Sequence, residues 1–230
     1  IGVGAAPGSG RTRVRLPIQD AVYHTHLLGP TGVGKSTLML SLALADAAEG
    51  RGLLLLDPKG DLAADLLARI PEQRADDVVV IDPANPAPVG LNPLAGPEQQ
   101  APATAEALVA VLAALFKDNW GIRTADVLSA ALQTLARTPG ANLLWLVPLL
   151  TNPAFRRRVL AMGPPDPLGT GAFWAAYEAK RPQGQATEIA PVLNKLRQLI
   201  MRPGLRAVLG QSAPRLDLRD ILTRRRIVVV

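Results

Sequence analysis

The feature that most constrains this chain is a glycine-rich turn closed by a lysine, Gly29-Pro30-Thr31-Gly32-Val33-Gly34-Lys35-Ser36-Thr37. It fits the pattern G-x-x-x-x-G-K-S in full. The short, partly apolar segment His24 to Leu28 precedes it, and Leu38, Leu42 and Ala45 recur behind it at helical spacing until Gly50. The local order is therefore strand, loop, helix. Glycines at 29, 32 and 34 let the backbone turn tightly, so that successive N–H groups converge on an anion. A helix starting at Lys35 adds the positive end of its dipole. In such a loop residues 29 to 37 cradle phosphate, the Lys35 ammonium meets the outer phosphates, and the Ser36 hydroxyl coordinates Mg²⁺.

The segments after the loop set the fold class. Leu53 to Leu56 is an apolar run ending in Asp57-Pro58, Val78 to Ile81 is another ending in Asp82-Pro83, and a helical stretch lies between them. Short all-apolar strands alternating with helices predict an α/β fold with a parallel sheet covered on both faces. Asp57 and Asp82 then stand at the carboxyl ends of strands, the edge where open sheets bind ligands. Between about Leu94 and Gly210 helix signals replace strand signals. Asn152-Pro153 reads as an N-cap with proline in the first turn, stopped at Gly163, and Thr124 reads as the cap of a helix over 125–137. Five or six helices are expected there, inserted into the sheet domain. Ile227 to Val230 restores the strand pattern. The organisation predicted is a linker over 1–12, a first part of the sheet domain over 13–93 opening on a short edge strand from Arg13 to Pro17, an all-α subdomain over 94–210, and a truncated return to the sheet over 211–230.

Composition narrows the chemistry. There is no cysteine, so disulfides, thiol catalysis and Cys-based metal sites are excluded. No apolar run approaches the ~18 residues that span a bilayer, so this stretch is expected to be soluble. The chain starts at Ile1 and stops inside an apolar run, and reads as a piece of a longer protein. The net charge of +6 is uneven: residues 1–126 hold ten basic and fourteen acidic side chains, residues 127–230 fifteen and five. The second part is the expected polyanion-facing one. Its densest basic runs are Arg156-Arg157-Arg158 and Arg224-Arg225-Arg226. Arg156, Arg157, Arg158, Lys195 and Arg197 are candidate DNA contacts, whereas 224–226 reads as a charged guard before a strand. Trp120, Trp145 and Trp174 are expected as core anchors of the helices. His24 and His26 have no metal-ligand companions in the sequence and read as structural.

Two nucleotide readings compete. Asp57-Pro-Lys-Gly60 fits the D-x-x-G of GTPases and Asn194-Lys-Leu-Arg197 half fits N-K-x-D, but Arg197 cannot accept hydrogen bonds from guanine. The 21 residues between Lys35 and Asp57 also leave no room for a switch loop. The other reading is a resemblance. The stretch from His24-Thr-His26 through the glycine loop, then Leu54-Leu-Leu-Asp-Pro-Lys-Gly-Asp61, Val80-Ile-Asp-Pro83 and Gly90-Leu-Asn-Pro-Leu94, resembles the motor core of type IV secretion coupling proteins, TraD/TraG-like ATPases of the HerA and FtsK superfamily. Asn119-Trp120-Gly-Ile-Arg-Thr124, Phe173-Trp174, Asn194-Lys-Leu196 and Leu205-Arg-Ala-Val-Leu-Gly-Gln211 resemble that family's all-α domain.

The resemblance implies a RecA-like P-loop core, ATP with Mg²⁺ and a homo-hexameric ring. It further implies DNA, relaxosome or secreted protein substrates and secretion-channel components as partners, and a parent protein at the cytoplasmic face of the bacterial inner membrane. Asp57, Lys59 and Asp61 become candidates for phosphate-side support, with capping of the next helix as the plainer role for the two aspartates. Pro58 stands where a catalytic glutamate would follow Asp57, so the catalytic Walker B strand and any arginine finger are expected beyond Val230. No catalytic residue is then expected within the 230, only weak nucleotide binding with little hydrolysis. A HerA/FtsK-like translocase unconnected to secretion and a nucleotide-dependent docking scaffold without hydrolysis stay open beside the motor reading.

Overall fold

The computed structural model describes residues 2–4, 12–14, 17, 19–20, 23–213 and 215–230, and the chain divides into two compact units, Ile1–Val80 with Leu218–Val230, and Ile81–Asp217. In the first, β1 (Gly2–Gly4) pairs antiparallel with β2 (Thr12–Val14). The Gly- and Ala-rich opening, expected as a linker, thus carries a hairpin strand. Helix α1 (Lys35–Ala48) succeeds the glycine loop and ends before Gly50, whose positive φ of 71° makes the turn. Next come β3 (Leu53–Leu55), α2 (Asp61–Leu67) and β4 (Val78–Val80), and after the second unit α10 (Asp220–Thr223) and β5 (Ile227–Val229).

The three longer-range strands form one parallel sheet in the order β3-β5-β4, with Leu53 and Val78 both in register with Ile227. The last strand in sequence is the central one. Ile227, Val228 and Val229 are fully buried, so the central strand is covered on both of its faces. Leu53, Leu55, Ile227 and Val229 pack with Leu40, Ala43 and Ala47 of α1 and Leu66 of α2. The packed stripe of α1 is therefore rotated from the Leu38/Leu42/Ala45 series, and Ala45 is exposed. On the face away from that core Val228 is fully buried, while Leu54 on the edge strand is 45% exposed. A correction concerns His24 to Leu28, which forms no strand. Its polar alternation offers little to bury, and Leu28 is 81% exposed.

The second unit is helical: α3 (Ala101–Leu115), α4 (Ile122–Ala136), α5 (Leu146–Thr151), α6 (Pro153–Met162), α7 (Thr170–Glu178), α8 (Pro182–Ile200) and α9 (Pro203–Leu209). That is seven α-helices among the described residues, more than the five or six expected. Helix α4 is the axis of the core, burying Val127, Leu128, Ala131, Leu132 and Leu135 against α3, α5, α7 and α8. Asn152 caps α6 as expected, its side-chain oxygen accepting from the N–H groups of Ala154 (3.0 Å) and Phe155 (3.1 Å). Thr124 does not cap α4; the helix begins at Ile122 and Thr124 is buried within its first turn. Trp174 is buried and donates from its indole N–H to Thr134 at 2.9 Å, while Trp120 and Trp145 pack on the same core. The tryptophans are thus core anchors.

Candidate functional site

The glycine loop is built by backbone conformation. Gly32 and Gly34 have φ of 86° and 87°, a left-handed region that a side chain would strain. Gly34 is the N-cap of α1 and no side chain caps the helix, so its first N–H groups are left to the loop side. The Lys35 ammonium folds back over the loop and donates to the carbonyls of Gly29 and Pro30, both at 2.7 Å. Pro30, Thr31 and Val33 are exposed.

Beside it, the β3–α2 turn is held by one carboxylate. The Asp57 N–H donates to the Val230 carbonyl at 2.9 Å, continuing the β3–β5 ladder and fixing Asp57 at the carboxyl end of β3. Its side chain accepts from the N–H of Lys59 at 3.1 Å and of Ala63 at 3.0 Å. The Ala63 amide, ahead of those of Lys59, Leu62 and Gly60, holds the Asp57 carboxyl below its ordinary range against an opposing effect of burial. Asp57 therefore ties the turn to the start of α2. Asp61 lies in the first helical turn, where a carboxylate favours the dipole, without capping it. Ser36 and Thr37 line one open cleft of about 480 Å³ together with Asp57, Lys59 and Asp61. The two sequence motifs are thus brought together. Asp82 instead belongs to the second unit and closes a local turn onto the Ala84 N–H at 2.8 Å.

The candidate DNA contacts separate. Arg156 is a core residue, 1% exposed: it donates to Glu178 at 2.9 Å and to the Leu149 carbonyl at 3.0 Å, with its guanidinium 4.9 Å from the Tyr177 ring centre. It is withdrawn as a DNA contact. Lys195 is also buried, at 7% exposure, and is withdrawn from that role too. Arg157, Arg158 and Arg197 are exposed. Of the other basic run, Arg224 pairs with Asp220 at 3.4 Å and Arg226 lies 3.8 Å from Asp77 and donates to the Asp76 carbonyl.

The Gly90–Leu94 and Leu205–Gln211 motifs are partners of each other. Leu91 donates to the Val208 carbonyl at 3.0 Å, and a Cβ on Gly90 would fall 2.3 Å from Gln211. Buried Asn92 donates to the Ala141 carbonyl at 2.8 Å, and Asn142 to that of Gly210 at 2.9 Å. These motifs close the fold of the helical unit. Sequence reasoning missed Arg74, which is buried and joins Asp77 to the carbonyls of Ala47, Arg51 and Arg225. Its only signal was an arginine beside an otherwise acidic 3₁₀ turn, Glu72–Asp77.

Compared with known families, residues 6–193 match the profile described as type IV secretory system conjugative DNA transfer. The chain belongs to this family. No curated protein and no solved structure matches it. The conjugative DNA transfer profile spans the glycine loop, the Asp57–Asp61 turn and the Gly90–Leu94 motif, and ends just before Asn194-Lys195. Among the described residues, no helix is long and apolar enough to cross a membrane.

Proposed function

We propose that this chain is the nucleotide-binding part of an ATP-driven DNA-transfer motor, with a RecA-like P-loop unit formed by the β3-β5-β4 sheet and α1. The observation that carries the reading is one cleft in which Ser36 and Thr37, at the bare start of a 14-residue helix, meet the Asp57–Asp61 turn at the carboxyl end of β3. Free helix N–H groups, a lysine and a hydroxyl are the donors a triphosphate with Mg²⁺ requires, so the residues fit that ligand. Bound ATP would supply the phosphoanhydride bond whose cleavage drives transfer.

The chain's own groups do the rest. Lys35, now bonded to the Gly29 and Pro30 carbonyls, would hold phosphate oxygens in their place, charged acceptors instead of neutral ones. Ser36 would hold Mg²⁺ through its hydroxyl oxygen. Asp57 keeps the turn in place through the Lys59 and Ala63 amides, which presents Lys59 and Asp61 to the phosphate side. In this reading the partners are DNA, relaxosome or secreted proteins, secretion-channel components and further copies of the chain in a homo-hexamer at the inner membrane; membership of a DNA-transfer family supports the DNA and secretion partners. Calorimetric titration with Mg-ATP tests the site. Lys35→Ala is expected to weaken binding by at least about tenfold, and unchanged affinity would sink the assignment.

A further inference from the structure

The cleft that joins Ser36 and Thr37 to the β3–α2 turn is unevenly charged. Its lining holds three carboxylates, Asp57, Asp61 and Asp65, against a single cation, Lys59. Asp57 is occupied by the Lys59 and Ala63 amides, and Asp65 pairs with Arg69 at 2.8 Å. The Lys59 side chain is exposed and, among the described residues, makes no hydrogen bond or ion pair. Its backbone is fixed all the same. The N–H donates to Asp57 at 3.1 Å, and Gly60, with φ of 85°, turns the chain directly into α2. Lys35 differs on both counts: its ammonium is engaged by two carbonyls of its own loop, and it does not line this cleft. The uncommitted ammonium at the site is therefore that of Lys59.

We propose that Lys59 contacts the terminal phosphate of the bound nucleotide and so sets the preference for ATP over ADP. This rests on the nucleotide reading above and adds to it the residue that tells the two nucleotides apart. In a glycine loop of this kind the backbone cradles the inner phosphates, while the lysine of the loop reaches the second and third. The third phosphate is then the one left to meet the other wall of the cleft. That wall is the β3–α2 turn, which without Lys59 offers an anion only carboxylates. ADP ends one phosphate short and gains nothing from Lys59, whereas Lys35 serves both nucleotides.

Calorimetric titrations of the 230-residue chain with Mg-ATP and with Mg-ADP test this on wild type, Lys59→Ala, Lys59→Arg and Lys35→Ala. Lys59→Ala is expected to lose about tenfold in affinity for ATP and less than about twofold for ADP, and Lys59→Arg to recover most of the loss. Lys35→Ala should weaken both. Asp57 needs only the backbone N–H of residue 59, so the alanine keeps the turn. The ratio of ATP to ADP affinity within one variant is also insensitive to the fraction folded. Equal losses for the two nucleotides in Lys59→Ala, or no loss for ATP, overturn the assignment of Lys59 and leave the nucleotide site standing. A wild-type chain that binds neither nucleotide overturns the nucleotide reading itself, and this inference with it.

Discussion

At the scale of single residues, neighbouring arginines with the same formal charge do different work. Arg156 closes on Glu178, two carbonyls and two rings, while Arg157 faces solvent. Replacing Arg156 with Met strips donors from buried carbonyls and leaves Glu178 without its partner. Urea denaturation should show a loss of roughly 3 kcal/mol for Arg156→Met and less than about 0.5 kcal/mol for Arg157→Ala. Equal effects would contradict the assignment. The distinction was available in the sequence: Arg156 stands three residues before Val159 and four before Leu160, on the apolar stripe of α6, and Lys195 stands likewise between Val192 and Leu199 on α8. Reading the run as a block of charge hid the periodicity.

At the scale of elements, the β3–α2 turn depends on an ionised Asp57. Because amide donors depress its folded pKa, its stabilisation is complete above the unfolded value of about 3.9 and is lost only as pH falls through the lower folded value. The Lys59 and Ala63 amide resonances should therefore stay unchanged as pH is lowered to about 4 and move only in more acid solution. A midpoint at or above the ordinary carboxylate value would show that the turn is not held this way. The apolar runs at Leu53, Val78 and Ile227 were legible as strands, and so was the Asn152-Pro153 helix start. Their pairing was not: β5 reaches β3 and β4 across the whole helical unit, and no local pattern records which of two buried strands it separates. His24 to Leu28 carried apolar residues without enough of them to secure a ladder, so a motif in its usual position suggested a strand that the backbone does not form.

At the scale of the whole molecule, the topology makes the two units unequal. Ile81–Asp217 is continuous in sequence and has its own core around α4, whereas the other unit takes its central strand from the far end of the chain. Residues 81–217 expressed alone should melt cooperatively by circular dichroism. Deleting 218–230 should abolish the folding of the first unit, because β3 and β4 lose the strand between them. A non-cooperative 81–217 would contradict the division. The units also redistribute the charge. Ile81–Asp217 holds thirteen basic and nine acidic side chains and the other unit twelve and ten, so the steep asymmetry seen along the sequence largely disappears once β5 and its arginines join the sheet. The basic surface is a matter of particular exposed residues such as Arg157, Arg158 and Arg197, not of one half of the chain.

If the glycine loop and the Asp57 turn form one nucleotide site, both must respond to the same ligand at the same concentration. Backbone amide shifts recorded through a titration with Mg-ATP test this residue by residue. Saturable changes are predicted at Gly32–Thr37 and Lys59–Ala63 together. Changes confined to other regions, or none at saturating nucleotide, would contradict a shared site.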